Sequence, residues 1–155
     1  MDTKCWLTRA VGTLVIAAAL LGDGRNALAS ETERSHGIEG AWRTVVTITD
    51  CATGSAQFSF PSLSLFITGG GLIESNGDQG GLGEWQHVGG RNYTSVYSFL
   101  EFNPDGTFAG NTNVWSTVRL SANGNTFSST TTAQITDAEG TVLFEACGTR
   151  AGRRL

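Results

Sequence analysis

From residue 40 onward the apolar residues follow no sustained helical period. They alternate with polar ones in runs rich in Thr, Val, Phe, Tyr and Trp, punctuated by Gly and Asn pairs. Eight strands are predicted, over 41–50, 57–67, 70–75, 83–88, 91–103, 107–122, 125–137 and 140–150. Their connections carry turn chemistry. Asn123-Gly124 is a two-residue hairpin in which both residues tolerate positive φ. Asn103-Pro104-Asp105-Gly106 puts Pro at the second turn position and Gly where a left-handed residue is needed. Gly89-Gly90 and 137–140 complete the set. The fold class is all-β, and a meander this long is expected to close into an eight-stranded antiparallel up-and-down barrel, because closure removes unpaired edges. The alternative is a two-sheet sandwich, which the Gly-rich connection 69–83 also permits.

Side chains alternate across a strand, and loop length passes that parity to the next strand. In 107–122 the even positions (Phe108, Gly110, Val114, Val118, Leu120) are apolar or small, while Asn111, Asn113 and Arg119 are odd, so even points inward. The two-residue loop at 123–124 then turns Phe127, Ser129, Thr131, Ala133 and Ile135 inward, and the next turn does the same for Val142, Phe144, Ala146 and Gly148. Carried backwards, a three-residue loop at 104–106 sends Val96, Ser98, Leu100 and Phe102 inward and leaves Tyr93, Tyr97, Phe99 and Glu101 outside, beside an outward Trp115. A bulge would invert this half. Trp85 and His87 are expected inward, as are Trp42, Thr44, Val46 and Ile48.

The first thirty residues change the compartment. Lys4 and Arg9 precede an uncharged run from Ala10 to Leu21, followed by Ala27-Leu28-Ala29. That order is a secretory signal over 1–29, and the run is too short for a membrane anchor, which needs roughly 20 apolar residues. The remaining chain reads as a mobile leader, 30–39, and a barrel domain, 40–155. It carries seven Arg against twelve acidic residues, so no basic footprint for nucleic acid is visible. Its two cysteines, Cys51 and Cys147, read as one disulfide in a secreted or periplasmic protein. If they face each other on the first and last strands, Arg154 lies opposite Thr44 and diagonal to Trp42. Two Cys and two His without ligand spacing indicate no metal site, and no cofactor motif is present.

Gly40-Ala41-Trp42 before a meander resembles the G-x-W motif of lipocalins and other calycin barrels. That resemblance implies an Arg late in the last strand packed over the Trp, a role for Arg154. The lean outline is equally similar to allene oxide cyclases and dirigent proteins, which implies a cofactor-free cavity that binds or steers a small apolar molecule. The expected ligand-binding wall is Trp42, Trp85, His87, Phe102, Phe108, Phe127 and Phe144, with His87 the candidate proton carrier. Three functions remain open at this point. They are a secreted binder of a small hydrophobic molecule, a cofactor-free isomerase or cyclase, and a filled structural barrel. Tyr93, Tyr97, Phe99 and Trp115, if outward, form an aromatic patch suited to a homo-oligomer interface.

Overall fold

The computed structural model describes residues 37–77 and 79–155. The predicted signal segment and leader residues 30–36 lie outside the described residues. Eight strands follow in chain order: β1 (Gly40–Thr49), β2 (Ala56–Phe66), β3 (Gly71–Ser75), β4 (Gly80–Gly89), β5 (Asn92–Phe102), β6 (Phe108–Leu120), β7 (Thr126–Asp137) and β8 (Val142–Arg154). Each pairs antiparallel with its neighbours in sequence, and β8 pairs with β1, so the sheet is a closed barrel. The sandwich alternative is thereby excluded.

Cys51 and Cys147 form the disulfide, with Cα atoms 5.1 Å apart. The bond spans 96 residues, and in the chain-entropy account a loop of that length contributes about 4–5 kcal/mol. The two cysteines are diagonal rather than opposite: Cys147 pairs with Thr49, and Cys51 lies in the turn beyond. The seam is therefore shifted two residues from the expected register. Parity survives an even shift, so the inward set of β1 stands, and Arg154 moves from Thr44 to lie directly opposite Trp42.

An odd shift has a larger effect. Glu101 pairs with Gly110 but Phe102 pairs with Phe108, leaving Ala109 as an extra residue on β6. This bulge inverts the expected parity of β5. Tyr93, Tyr97 and Phe99 are buried inside the barrel, whereas Val96, Leu100 and Phe102 are exposed. The outward aromatic cluster expected for self-association is corrected accordingly: of its four members only Trp115 is exposed, at 40 %. Exposed apolar residues share the outer face elsewhere, as Leu65, Ile73 and Leu82 do across β2, β3 and β4. A second extra residue, Val88 on β4, inverts the pattern again, which keeps Trp85 on the inward side.

One half of the interior is solid. Trp42, Phe66, Leu72, Tyr93, Val118 and Phe127 are buried there, with Trp42 and Phe66 edge-on to Phe127. Ile38, just before β1, is also fully buried. The Trp42 indole N–H donates to Ile38 O at 2.7 Å. The Arg154 guanidinium lies 4.3 Å from the Trp42 ring centroid and donates to the carbonyls of Gly37, Glu39 and Gly124. One side chain thus seals this end by tying the entering chain to the β6–β7 turn.

Gly110 is the residue on which the β6 bulge depends. Its φ is +149°, and a Cβ there would run into the carbonyl of Thr136. Gly110→Ala is expected to lower unfolding stability by at least about 2 kcal/mol, strain and clash combined, measured by chemical denaturation. Ala109→Gly, at the extra residue itself, is expected to cost much less.

Candidate functional site

The other half of the barrel is a cup with a cavity of about 150 Å³. Small residues make the room: Ser62 on β2, Thr112 on β6, and Thr131 and Ala133 on β7 face an interior that larger side chains would fill. Val46, Ile48, Phe60, Phe99 and Val114 supply the apolar wall. Gly81 on β4 leaves space for the Phe99 ring, which a Cβ there would strike.

The floor is polar. Arg150, 2 % exposed, reaches inward from β8 and pairs with Glu74 of β3 at 2.6 Å. It also donates to the hydroxyls of Ser64 and Tyr97. Glu74 accepts further hydrogen bonds from Ser62 and Ser64, so both of its oxygens are engaged. Burial pushes the Glu74 carboxyl above its usual value, opposed by Arg150 and the two serines. Burial works against the Arg150 charge too, but Tyr97 and Glu74 outweigh it and hold the guanidinium protonated. Removing two charges from water is costly, and it is tolerated here because the partners supply close hydrogen bonds. The Arg150 face also lies 5.8 Å from the Phe127 ring centroid, so it forms the boundary between the dry core and the cup.

Tyr97 is the other ionisable group at the floor. Burial first, and then Glu74, raise its phenol to about 12 against an opposing pull from Arg150. It therefore holds its proton at neutral pH.

Above the floor, Glu101 of β5 accepts from Gln79 at 2.6 Å and from Thr112 at 2.8 Å. Nearby, Asn76 Oδ1 is buried without a hydrogen-bond partner among the described residues. Among those residues no group of three or more His, Cys, Asp or Glu is placed to hold a metal ion.

The structure distributes the expected wall residues unevenly. Trp42 and Phe127 are buried in the solid half, and Trp85 packs against that core from β4, its indole donating to Ile67 O. His87 is exposed beside the β4–β5 turn, its ring 4.9 Å from Tyr93 and one ring nitrogen 2.8 Å from Gly90 O. It lies at the sealed end, away from the cup. Phe102 and Phe108 lie beyond the Ala109 bulge and pack on each other, 58 % and 41 % exposed, so neither lines the cavity. Phe144 keeps inward register with Ile135, but it stands one residue from a further extra residue, Leu143, and is exposed near the end of β8. Glu74 was missed as a site residue, whereas Tyr97 reaches the site through the inversion of β5 that a bulge was expected to produce. The available signal was Arg150, inward by parity, since a buried guanidinium requires a carboxylate within the same barrel.

Two outcomes test the floor. Arg150→Met or Glu74→Gln alone is expected to cost about 3–5 kcal/mol by stranding the other partner, while Arg150→Met with Glu74→Leu costs much less, a difference read by denaturant titration. The raised Tyr97 pKa contributes stability that is complete below pH 10, where the unfolded phenol is still protonated, and is lost as pH climbs towards about 12. Tyrosinate absorbance is expected to show one of the two tyrosines ionising near pH 12, a step that Tyr97→Phe removes. No family model, no curated protein and no solved structure matches this chain.

Proposed function

We propose that the barrel binds a small, mostly apolar molecule in the cup opposite Trp42. The observation that carries this reading is the unequal filling of the interior. One half is packed by large aromatic rings, and the other leaves about 150 Å³ lined by an apolar wall with few polar groups. A cavity of about 150 Å³ lined by apolar side chains is the size that takes up benzene in an engineered protein. Placing a few polar groups in a mostly apolar concavity is how ligand sites fix orientation. The disulfide fits an oxidising compartment, where the protein would meet its ligand outside the cytosol.

The isomerase or cyclase reading draws on the Tyr97–Glu74–Arg150 floor, but proton transfer at neutral pH favours a group whose pKa lies near 7. A phenol at about 12 donates a hydrogen bond without surrendering its proton. Binding without turnover is the better fit.

Native mass spectrometry of the protein from its exporting cells is expected to retain a small molecule and to report the oligomeric state. Titration with single-ring probes is expected to saturate at one per barrel and to raise Tm. Ala133→Trp, which fills the cup, is expected to abolish the Tm shift while the far-UV spectrum stays that of the wild type. An empty mass together with no saturable probe would sink the reading in favour of a filled barrel.

A further inference from the structure

The polar inventory of the cup is lopsided. Its floor carboxylate, Glu74, is neutralised by Arg150 and accepts from Ser64, so each of its oxygens has a donor. The wall carboxylate, Glu101, has only the neutral donors Gln79 and Thr112. The ion pair among the described residues is Arg150–Glu74, so Glu101 keeps its charge uncompensated at the cavity wall. Asn76 Oδ1, which also lines the cavity, is an acceptor with no donor among the described residues. Tyr97 is neutral and accepts from Arg150, so its O–H is a neutral donor at the floor and brings no charge. Among the described residues no lysine or histidine lines the cavity, and the floor guanidinium of Arg150 is already paired with Glu74. A ligand seated here meets an excess of acceptors and one free negative charge.

The outer charge distribution points the same way. The turns around the open end carry Asp50, Asp105, Asp137 and Glu139. Backbone and hydroxyl hydrogen bonds, chiefly from Thr53 and Thr107, hold Asp50 and Asp105 below the usual carboxylate range, so both stay charged. The described arginines other than Arg150 (Arg43, Arg91, Arg119, Arg153 and Arg154) all lie in the half of the barrel next to Trp42. A mouth ringed by one sign of charge concentrates the opposite ion. These aspartates also cap their own turns, so they act as a field at the entrance, and the recognition falls to Glu101 and Asn76.

We infer that the ligand is a small apolar amine, its ammonium held by Glu101 and Asn76 and its single ring or short chain lying against Val46, Phe60 and Phe99. This rests on the cavity reading above and names the chemical class that the cavity selects. A carboxylic acid of the same shape would place a second negative charge beside Glu101 with no unpaired cation among the described lining residues to compensate either. An alcohol would satisfy one acceptor and leave the charge uncompensated.

The test is a set of near-isosteric probes on the wild-type protein: benzylamine, benzyl alcohol and benzoate, by isothermal titration calorimetry. Benzylamine is expected to bind about ten-fold or more tighter than benzyl alcohol, the usual advantage of a charge-assisted hydrogen bond, and benzoate is expected not to bind. Glu101→Gln is expected to remove the amine preference while benzyl alcohol binds as before. Because that variant also alters the Gln79 and Thr112 contacts, added salt on the wild type provides a second reading and is expected to weaken benzylamine alone. Benzyl alcohol or benzoate binding as tightly as benzylamine would overturn the amine assignment and leave the cavity standing. An unchanged amine preference in Glu101→Gln would overturn the role of Glu101. Failure of all three probes would remove the cavity reading itself.

Discussion

A single guanidinium organises the middle of this barrel. Arg150 is delivered by the last strand, yet its partners come from β2, β3 and β5, so one side chain binds four strands across the lumen. Its Trp42 side is close-packed and dominated by aromatic and aliphatic side chains, and its other side has room and polar groups. The cost of burying that charge obliges Glu74 to follow it inside, with serine hydroxyls hydrogen-bonding the carboxylate. The floor of the cup follows from meeting that cost, and the floor in turn makes a half-empty barrel stable as a cup.

The sealed end shows the complementary strategy. Arg154 serves there through carbonyl acceptors and a flat contact with Trp42 and needs no carboxylate. Two arginines four residues apart on one strand therefore face the same interior with opposite solutions: one near the rim, partly hydrated, the other fully buried and ion-paired. One end is closed this firmly, and Asp50, Asp105, Asp137 and Glu139 sit in the turns around the other. A polar floor and an acidic mouth are the features on which the proposed binding role rests.

The strands and turns were legible because their signals are local. Thr-, Val- and aromatic-rich runs and the Asn-Gly and Pro-Asp-Gly turns each act over a few residues, and all eight strands appear close to where those residues place them. The inward face of β6 and β7 was legible too, because the 123–124 loop joins them and no extra residue separates their register. Glu74 was not. In the five residues Gly71–Ser75, Leu72 and Glu74 share one face and Ile73 and Ser75 the other, so hydropathy alone does not decide which is inside.

Composition, turn chemistry and cysteine number therefore carried the architecture, since each acts within a turn or a strand or through a covalent link. The lining of the cavity rested on single inserted residues. Ala109, Val88 and Leu143 leave no hydropathy signature, yet each reverses which side chains meet in the lumen because the strand period is two. Whether Tyr97 or Ser98 faces Arg150 is settled by pairing between strands more than fifty residues apart in sequence. Contacts of that range exist only once the barrel has closed.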